Sequence, residues 1–337
     1  MITQKDLKKI DSSLMHLIYD DWPIIAKNAF NKKWEKIEYQ DYEHIVFAGM
    51  GGSGTIGDIF AAIFSKSGKH ISVCKGYNLP KTVDVKSLVI ITTVSGNTSE
   101  ALSILKQAIK VKCKVIVFSS GGKIEKVCKK NKINYRKIEE FNSPRASLVN
   151  YIFSVLKILE NVLPYPKKDI DFCIRNLFEI KKNISSQNLS ETNLALNLAK
   201  KIKGIPLIYY PWGLQAVAIR FKNTLQENSK LQVIIEDVVE ASHNGVVAWE
   251  KKSNVNPILL QGKDDNIKTK EKWMAMKKFF KYNEIEYLEI YSIKGGILSK
   301  IMNLMYYLDY VTIYKAVIEK VDPTPVEPIK FIKGLTK

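Results

Sequence analysis

The feature that most constrains the fold of this chain is a recurring order of apolar run, small-residue turn and helical pattern. The apolar run Ile45–Ala48 ends in the glycine-rich stretch GMGGSG, and a helical pattern begins at about Thr55. A second run, Leu88–Val94, ends in the turn SGN, after which Thr98 or Ser99 begins a helix. A short buried strand that leads through a tight turn into a helix is the building unit of a parallel α/β sheet.

The same order recurs along the rest of the chain. The further predicted strands are ISVCKGY, KVIVFSS and INYRKIE in the N-terminal half, and IPLIYY, LQVIIED, NPILLQG and YLEIYS in the C-terminal half. Strands that alternate with helices predict an α/β fold with a doubly wound, flavodoxin-like parallel sheet. A length of 337 residues predicts about two such domains, which we expect to be topological copies.

The helical and polar segments suggest where the domains begin and end. Apolar stripes near the N-terminus predict helices that Pro23 interrupts, and helices are also predicted over about 144–185 and after Ser299. The predicted ranges are an N-terminal helical segment at 1–40, a first domain at 41–182, a polar linker at 183–193 and a second domain with C-terminal helices at 194–337.

The charge of the chain argues against a specific nucleic-acid partner. The formal net charge is +18, but the 52 basic side chains are 48 lysines spread along the chain and only four arginines. Arginine, rather than lysine, is favoured for bidentate contacts to phosphate or guanine. Dispersed lysine without a DNA- or RNA-binding motif is typical of a solvated surface, and it would attract small anionic substrates.

The remaining composition predicts a soluble cytoplasmic protein, and we expect no metal or other cofactor. No apolar run reaches the roughly 18 residues of a membrane span, and the N-terminal stretch is polar, so neither a membrane segment nor a signal peptide is expected. The four cysteines form no CxxC pair, which fits a reducing compartment. Histidines are scattered, and no spacing predicts a zinc site, so we expect a metal-free mechanism.

The first loop satisfies a dinucleotide-binding pattern only in its glycines. Gly49, Gly51 and Gly54 form a literal GxGxxG. That pattern needs an acidic residue about 20 positions later to bind the ribose, and the stretch 66–83 contains no Asp or Glu. A P-loop is excluded as well, because no Gly-Lys-Ser/Thr closes the loop.

The second loop favours a single phosphate group. Short hydrogen-bonding side chains, those of Thr93, Ser95, Asn97 and Thr98, surround Gly96 at the start of a helix. Together with free backbone N–H groups they make a cradle for a phosphate dianion. The alternative is that Thr98 or Ser99 serves only as a helix cap. Two adjacent strand ends, one rich in glycine and one in hydroxyls, suit a sugar phosphate better than a dinucleotide.

Six motifs in order resemble a known family. They are GMGGSG, TVSGNTSE, SPRASL, FKNTLQENSK, EASHNG and DPTPVEPIKFIK, and they extend over about residues 40–337. Together they resemble the bifunctional phosphoglucose/phosphomannose isomerases of the SIS (sugar isomerase) fold. The resemblance implies two SIS domains and a homodimer with its active sites near the subunit interface. It also implies metal-free interconversion of fructose 6-phosphate with glucose 6-phosphate and mannose 6-phosphate.

The resemblance implies a set of substrate-binding residues. They are the phosphate-binding hydroxyls of Thr93, Ser95 and Thr98 and, on the sugar side of the first loop, Gly51, Gly52 and Ser53. Many family members have Ser where this chain has Thr93, so the hydroxyl is kept. Thr324 matches the threonine that the family links with accepting mannose 6-phosphate.

Two charged residues are implied for the proton transfer itself. The reaction passes through an enediolate whose negative oxygen needs a fixed cation, and the resemblance assigns this role to Arg145. Glu227 falls where the family has the base that moves a proton between C1 and C2. The alternatives are a surface arginine paired with a carboxylate and a solvated helix glutamate, the commonest state of glutamate.

His243 and Lys333 are implied for opening the sugar ring. An imidazole suits proton exchange near neutral pH, and the family contributes this histidine across the dimer interface. The family commonly reads HNE, whereas this chain has Gly245, so any role of that acid is lost or moved, and Glu240 is a candidate to orient His243 instead. Lys330 and Lys337 compete with Lys333, and the alternatives are a loop histidine and a solvated lysine.

Two other functions stay open at this point. One is a different SIS enzyme that acts on a heptulose or amino-sugar phosphate, which would need a similar phosphate loop. The other is a sugar-phosphate-sensing module of a transcriptional regulator, although the 40 residues before the first strand are few and apolar for a DNA-binding domain.

Overall fold

The computed structural model describes residues 2–35, 37–40 and 42–335. The helices in chain order are α1 (Gln4–Ile10), α2 (Met15–Asp20), α3 (Trp22–Asn31), α4 (Gly52–Ile63), α5 (Ser99–Val111), α6 (Gly122–Lys130), α7 (Leu148–Ile158), α8 (Lys167–Ile184), α9 (Leu194–Lys201), α10 (Gln215–Ser229), α11 (Val238–Ala241), α12 (Ile267–Tyr282), α13 (Ile297–Ile318) and α14 (Glu327–Leu335). The strands are β1 (His44–Ala48), β2 (His70–Cys74), β3 (Ser87–Thr92), β4 (Lys114–Ser119), β5 (Asn134–Lys137), β6 (Ile205–Tyr210), β7 (Ile234–Asp237), β8 (Val255–Gln261) and β9 (Leu288–Tyr291).

The first sheet is parallel throughout and has the order β2-β1-β3-β4-β5. This is the flavodoxin-like order, so the predicted doubly wound arrangement is confirmed. Strands β1 and β3 are buried along their whole length, as expected when helices cover both faces of a parallel sheet. On one face, Val89 and Ile91 of β3 pack in a core cluster with Ile104, Leu105 and other buried residues of α5.

The second sheet repeats this plan with four strands. Its order is β7-β6-β8-β9, again parallel throughout, which matches the order of the first four strands of the first sheet. The two halves are therefore topological copies in strand order. The core on one face combines Tyr209 of β6 and Leu259 of β8 with Trp273, Met276 and Phe280 of α12.

The compact units of the structure do not have the same boundaries as the predicted domains, because helices near those boundaries are divided between the two units. Within the described residues, one compact unit comprises 2–20, 177–295 and 300–335, and the other comprises 21–176 and 296–299. The boundaries therefore divide the N-terminal helices and fall inside α8 and α13. Each predicted range, 41–182 and 194–337, contains one sheet.

One detail of the predicted helices differs in the structure. Pro23 does not interrupt a helix: it lies in the first turn of α3, where its missing N–H is not needed and its fixed φ suits a helix start. The helices predicted between 144 and 185 are α7 and α8, which Pro164 and Pro166 separate. Within the described ranges, no helix combines the length and apolar composition needed to cross a bilayer.

A buried ion pair joins α10 to α13. Nη2 of Arg220 lies 2.6 Å from Oδ2 of Asp309, and Nε lies 3.2 Å from Oδ1, so the pair is bidentate. The side chains are only 2% and 0% exposed. The desolvation cost of two buried charges is offset only while both are present. The pair therefore fixes the register of α10, the helix that carries Glu227, against α13.

We expect Asp309→Ala to lower the free energy of unfolding by about 3–5 kcal/mol, because it leaves the Arg220 guanidinium buried and uncompensated. Urea denaturation followed by circular dichroism measures the loss. The control is Glu271→Ala, which removes the exposed partner of Lys268 and should change stability by less than about 0.5 kcal/mol. Equal losses in the two variants would contradict the structural role of the pair.

Candidate active site

The first glycine-rich loop connects β1 to α4 and is in close contact with its neighbours. A Cβ at Gly49 would lie 2.8 Å from the carbonyl oxygen of Ser53 and 2.9 Å from that of Thr92, so only glycine fits. The hydroxyl of Ser53 is buried and accepts a hydrogen bond from the Val94 backbone N–H at 3.2 Å. Ser53 therefore joins the first loop to the second one, while Gly51 is exposed and Gly52 partly exposed.

The second loop connects β3 to α5 and turns tightly at Gly96. The N–H of Gly96 donates to the carbonyl of Thr93 at 3.1 Å, and its φ of +67° is in the left-handed region. Thr98 occupies the N-cap position of α5, yet its side chain makes no capping bond. Its hydroxyl instead accepts a hydrogen bond from the hydroxyl of Thr93 at 3.1 Å. The Thr98 hydroxyl therefore does not cap the N–H groups of the first helical turn.

The hydroxyls of this loop differ in accessibility. Thr93 is 2% exposed, Thr98 is partly exposed and Ser95 is exposed. Asn97 faces the neighbouring loop: its Nδ2 donates to the carbonyl of Ser95 at 3.1 Å, and its Oδ1 accepts from the N–H of Lys123 at 3.0 Å. The hydroxyls of Ser95 and Thr98 are therefore accessible, and the hydrogen bonds of Asn97 fix the backbone of the loop.

The loop after β4 completes this edge of the sheet. The N–H and the hydroxyl of Ser120 both donate to the carbonyl of Val94, at 3.0 and 2.7 Å. The N–H of Ile124 donates to the carbonyl of Gly96 at 2.9 Å. The loops after β1, β3 and β4, which are neighbours in the sheet, are therefore connected by hydrogen bonds at its carboxyl edge. This edge is where open α/β sheets bind ligands.

Arg145 lies in a structured turn before α7 and is only 5% exposed. Ser147 accepts from the Phe141 N–H at 2.8 Å, and Ser143 accepts from the Ala146 N–H at 3.3 Å. The Trp22 indole N–H donates to the carbonyl of Ala146 at 3.1 Å. The alternative of a surface arginine is therefore wrong, and the backbone beside this cation is fixed.

Glu227 lies in the last turn of α10 and is partly exposed. The next two residues, Asn228 and Ser229, are buried, and both form hydrogen bonds to Thr312 of α13. The Asn228 amide donates to the hydroxyl of Thr312 at 2.8 Å, and the Ser229 hydroxyl donates to the carbonyl of Thr312 at 2.8 Å. This anchoring keeps Glu227 at a defined position at the end of its helix.

Lys230 connects this helix end to the proline-rich segment 322–326. Its ammonium donates to the carbonyl of Glu227 and, at 2.7 Å, to the carbonyl of Pro325. The segment is shaped by Asp322, whose Oδ1 accepts from the Thr324 N–H at 3.0 Å. The structure thus brings the segment of Thr324 next to the end of α10 that bears Glu227.

His243 lies on an exposed turn after β7 and α11. Its N–H donates to the carbonyl of Glu240 at 2.9 Å. The Glu240 carboxylate accepts from the side chain of Asn244 at 3.0 Å. Among the described residues, this carboxylate makes no hydrogen bond to the His243 ring.

The candidate lysines on α14 differ in their partners. Lys330 is paired with Glu327 at 2.7 Å, whereas Lys333 is exposed and has no ion pair within the described part of the chain. Lys337 lies outside the described residues. In the same described part, no group of three or more His, Cys, Asp or Glu side chains has the arrangement of metal ligands.

Comparisons with known proteins identify the family. Residues 191–335 match the model of the bacterial phospho-glucose isomerase C-terminal SIS domain. The chain is 29% identical over 307 residues to a bifunctional phosphoglucose/phosphomannose isomerase of Caldicellulosiruptor bescii, covering 88% of this chain and 91% of that protein. It is 30% identical over 319 residues to a protein of the same name from Aquifex aeolicus, covering 92% and 96%.

The chain belongs to the bifunctional phosphoglucose/phosphomannose isomerase family. Among solved structures, the hypothetical protein TT0462 from Thermus thermophilus has a similar fold, with a TM-score of 0.75 and 14% identity over 99% of this chain and 93% of that one. The resemblance in the six motifs is therefore confirmed at the level of the family, and the fold is that of the SIS phosphosugar isomerases.

Three residues that anchor the end of α10 were not predicted to have a role. Asn228, Ser229 and Lys230 follow Glu227 directly, and a polar run at the end of an apolar helix is the signal that indicates them. Glu236 was also not found. Its place depends on contacts with Gly245, nine positions later, which no local pattern reveals.

We expect Gly96→Ala to destabilise the second loop strongly, because a Cβ there would overlap the carbonyl oxygen of Gly121. The matched control is Gly68→Ala, at a similar φ of +69° but with open space around it, which should cost only about 1–2 kcal/mol. Urea denaturation of the two variants measures the difference, with about 3 kcal/mol or more expected for Gly96→Ala. Similar losses would show that the contact with Gly121 is unimportant.

We expect Lys230→Met to release the segment 322–326 from the end of α10, because both carbonyl contacts are lost. Hydrogen–deuterium exchange measured by mass spectrometry should be faster in the peptides that cover this segment. Lys222→Met, which removes another lysine of α10, should leave their exchange unchanged. Unchanged exchange in Lys230→Met would show that the ammonium does not hold the segment.

Proposed function

We propose that this chain is a phosphoglucose/phosphomannose isomerase that interconverts fructose 6-phosphate with glucose 6-phosphate and mannose 6-phosphate. The observation that carries this proposal is the loop 93–98, which combines hydroxyls and a helix start at the carboxyl edge of a parallel sheet. Family membership over most of the chain supports the same function, since the Caldicellulosiruptor and Aquifex relatives carry the name of this activity.

The phosphate of the substrate is assigned to the hydroxyls of the second loop. Thr93, Ser95 and Thr98 bind it together with N–H groups of the first turn of α5, whose dipole favours a dianion. Gly51 and Gly52 line the sugar, where a backbone without side chains permits close approach, and Ser53 keeps the two loops together. Thr324 contacts the part of the sugar that differs between the glucose and mannose products.

The chemical step is a proton transfer between C1 and C2. Glu227 removes a proton from one carbon and returns it to the other on the same face of a cis-enediolate. Arg145 stabilises the negative oxygen of this intermediate, and a cation on a fixed backbone needs little reorganisation to do so. The partly exposed position of Glu227 is compatible with contact to a substrate.

Ring opening precedes this step. His243 and Lys333 exchange protons with the anomeric hydroxyl and the ring oxygen O5, and both side chains are exposed. We further propose that the enzyme is a cytoplasmic homodimer in which His243 acts in the partner's active site. Light scattering of the purified protein tests the dimer, and a monomer mass at micromolar concentration would refute it.

We expect Glu227→Gln to lower kcat by about 10²–10⁴-fold while fructose 6-phosphate still binds, because the amide keeps the shape of the base but cannot accept the proton. NMR of the products measures turnover and calorimetry measures binding. The control is Glu179→Gln on α8, which removes an exposed carboxylate paired only with Lys182. Full activity of Glu227→Gln would refute the assignment of the base.

The same NMR assay of the unaltered protein, with and without EDTA, tests the reaction. Formation of both aldose phosphates, insensitive to EDTA, supports the dual, metal-free activity. Glucose 6-phosphate alone would refute the mannose activity. Absence of both products would refute the proposed function and favour another phosphorylated sugar as the substrate.

A further inference from the structure

The turn that carries His243 lies in an unusually acidic stretch of a basic chain. Residues 236–250 contain four carboxylates and neither lysine nor arginine, although the whole chain has a net charge of +18. Two of these carboxylates have structural tasks. Asp237 caps α11 by accepting from the N–H groups of Val239 and Glu240, at 2.8 and 3.2 Å, and Glu240 holds Asn244.

Glu236 has no comparable task. It is the penultimate residue of β7 and is partly buried, and within the described residues its carboxylate makes neither a hydrogen bond nor an ion pair. Burial and the nearby charges of Glu240 and Asp237 raise the pKa of this carboxyl above its usual range. A partly buried carboxylate without a partner costs free energy, and such groups concentrate at functional sites.

The carboxylate of Glu236 occupies the space of a missing side chain at Gly245. A Cβ at Gly245 would overlap both carboxylate oxygens of Glu236, and the three atoms nearest to that Cβ all belong to Glu236. The φ of Gly245 is outside the left-handed region, so the backbone itself would accept a side chain. The nearest obstacle to a side chain at this position is therefore the carboxylate of Glu236 and not the conformation of the turn.

We propose that Glu236 is a positioning residue for His243 in ring opening. Its carboxylate lies against the backbone of Gly245, two residues after the histidine. There it restricts the conformation of the turn that bears the imidazole and adds a negative charge beside that turn. This inference rests on the proposed function. In ring opening the anomeric hydroxyl loses its proton, the bond between the anomeric carbon and O5 breaks, and O5 gains a proton.

The test separates ring opening from proton transfer with two substrates. Fructose 6-phosphate must open its ring before isomerisation. 5-Deoxyfructose 6-phosphate lacks O5, so it cannot close a furanose ring and needs only the step between C1 and C2. NMR of the aldose products reports turnover of both compounds.

Three variants disturb the carboxylate in different ways. Glu236→Gln keeps its shape and removes the charge, and Glu236→Ala removes the whole group. Gly245→Ala displaces the carboxylate while the fold is kept, because the overlapping atoms are the end of a flexible side chain. The double variant Glu236→Ala, Gly245→Glu returns a carboxylate to the same space from the other side. The control is Glu250→Gln, which removes an exposed charge from the same acidic stretch.

We expect the three single variants to turn over fructose 6-phosphate about 10- to 100-fold more slowly, the size of effect that a misplaced catalytic group produces. Their turnover of 5-deoxyfructose 6-phosphate should be unchanged, the double variant should recover, and Glu250→Gln should match the unaltered protein on both compounds. Equal losses on the two substrates, or no loss on either, would overturn the role of Glu236. An unaltered protein inactive on both compounds would refute the proposed function itself, and the inference with it.

Discussion

The parallel direction of the strands is the constraint on which the candidate phosphate site depends. In a parallel sheet the carboxyl ends of all strands meet at one edge, so the loops after β1, β3 and β4 come together although they are far apart in sequence. The backbone of Val94 connects these loops: its N–H donates to the hydroxyl of Ser53, and its carbonyl accepts from the hydroxyl of Ser120. Because the small side chains are used to hold the backbone, the outward hydroxyls of Ser95 and Thr98 are presented on a rigid support.

In the unit with the second sheet, buried polar contacts determine where the candidate catalytic groups lie. Arg220 and Asp309 fix α10 to α13, and Asn228 and Ser229 fix the end of the same helix to Thr312. Each contact would cost free energy if one partner were missing, so each tolerates little displacement. Glu227 is partly exposed at the end of this anchored helix, where a carboxylate can meet solvent or a ligand without movement of its backbone.

Much of the fold could be predicted from the sequence. The strands of both sheets were predicted, because short apolar runs bounded by Gly, Ser and Thr have few other uses in a soluble chain. The hydroxyl cluster of the second loop and Arg145 were singled out by their residue types, since both stand out among 48 lysines, but the burial of Arg145 was not predicted. The interruption by Pro23 was wrong because a proline in the first helical turn looks the same in sequence as one that ends a helix.

The sequence by itself determined the order of strands and helices, the loop that suits a phosphate and the family to which the chain belongs. These properties depend on local periodicity and on motifs of a few neighbouring residues. Only the tertiary structure decided that the Thr98 hydroxyl is bonded to Thr93 and does not cap α5, that Glu240 holds Asn244 and that Glu236 fills the space beside Gly245. The physical reason is that a short polar side chain has several partners within reach, and its choice is set by which backbone groups the packed sheet and helices bring within about 3 Å.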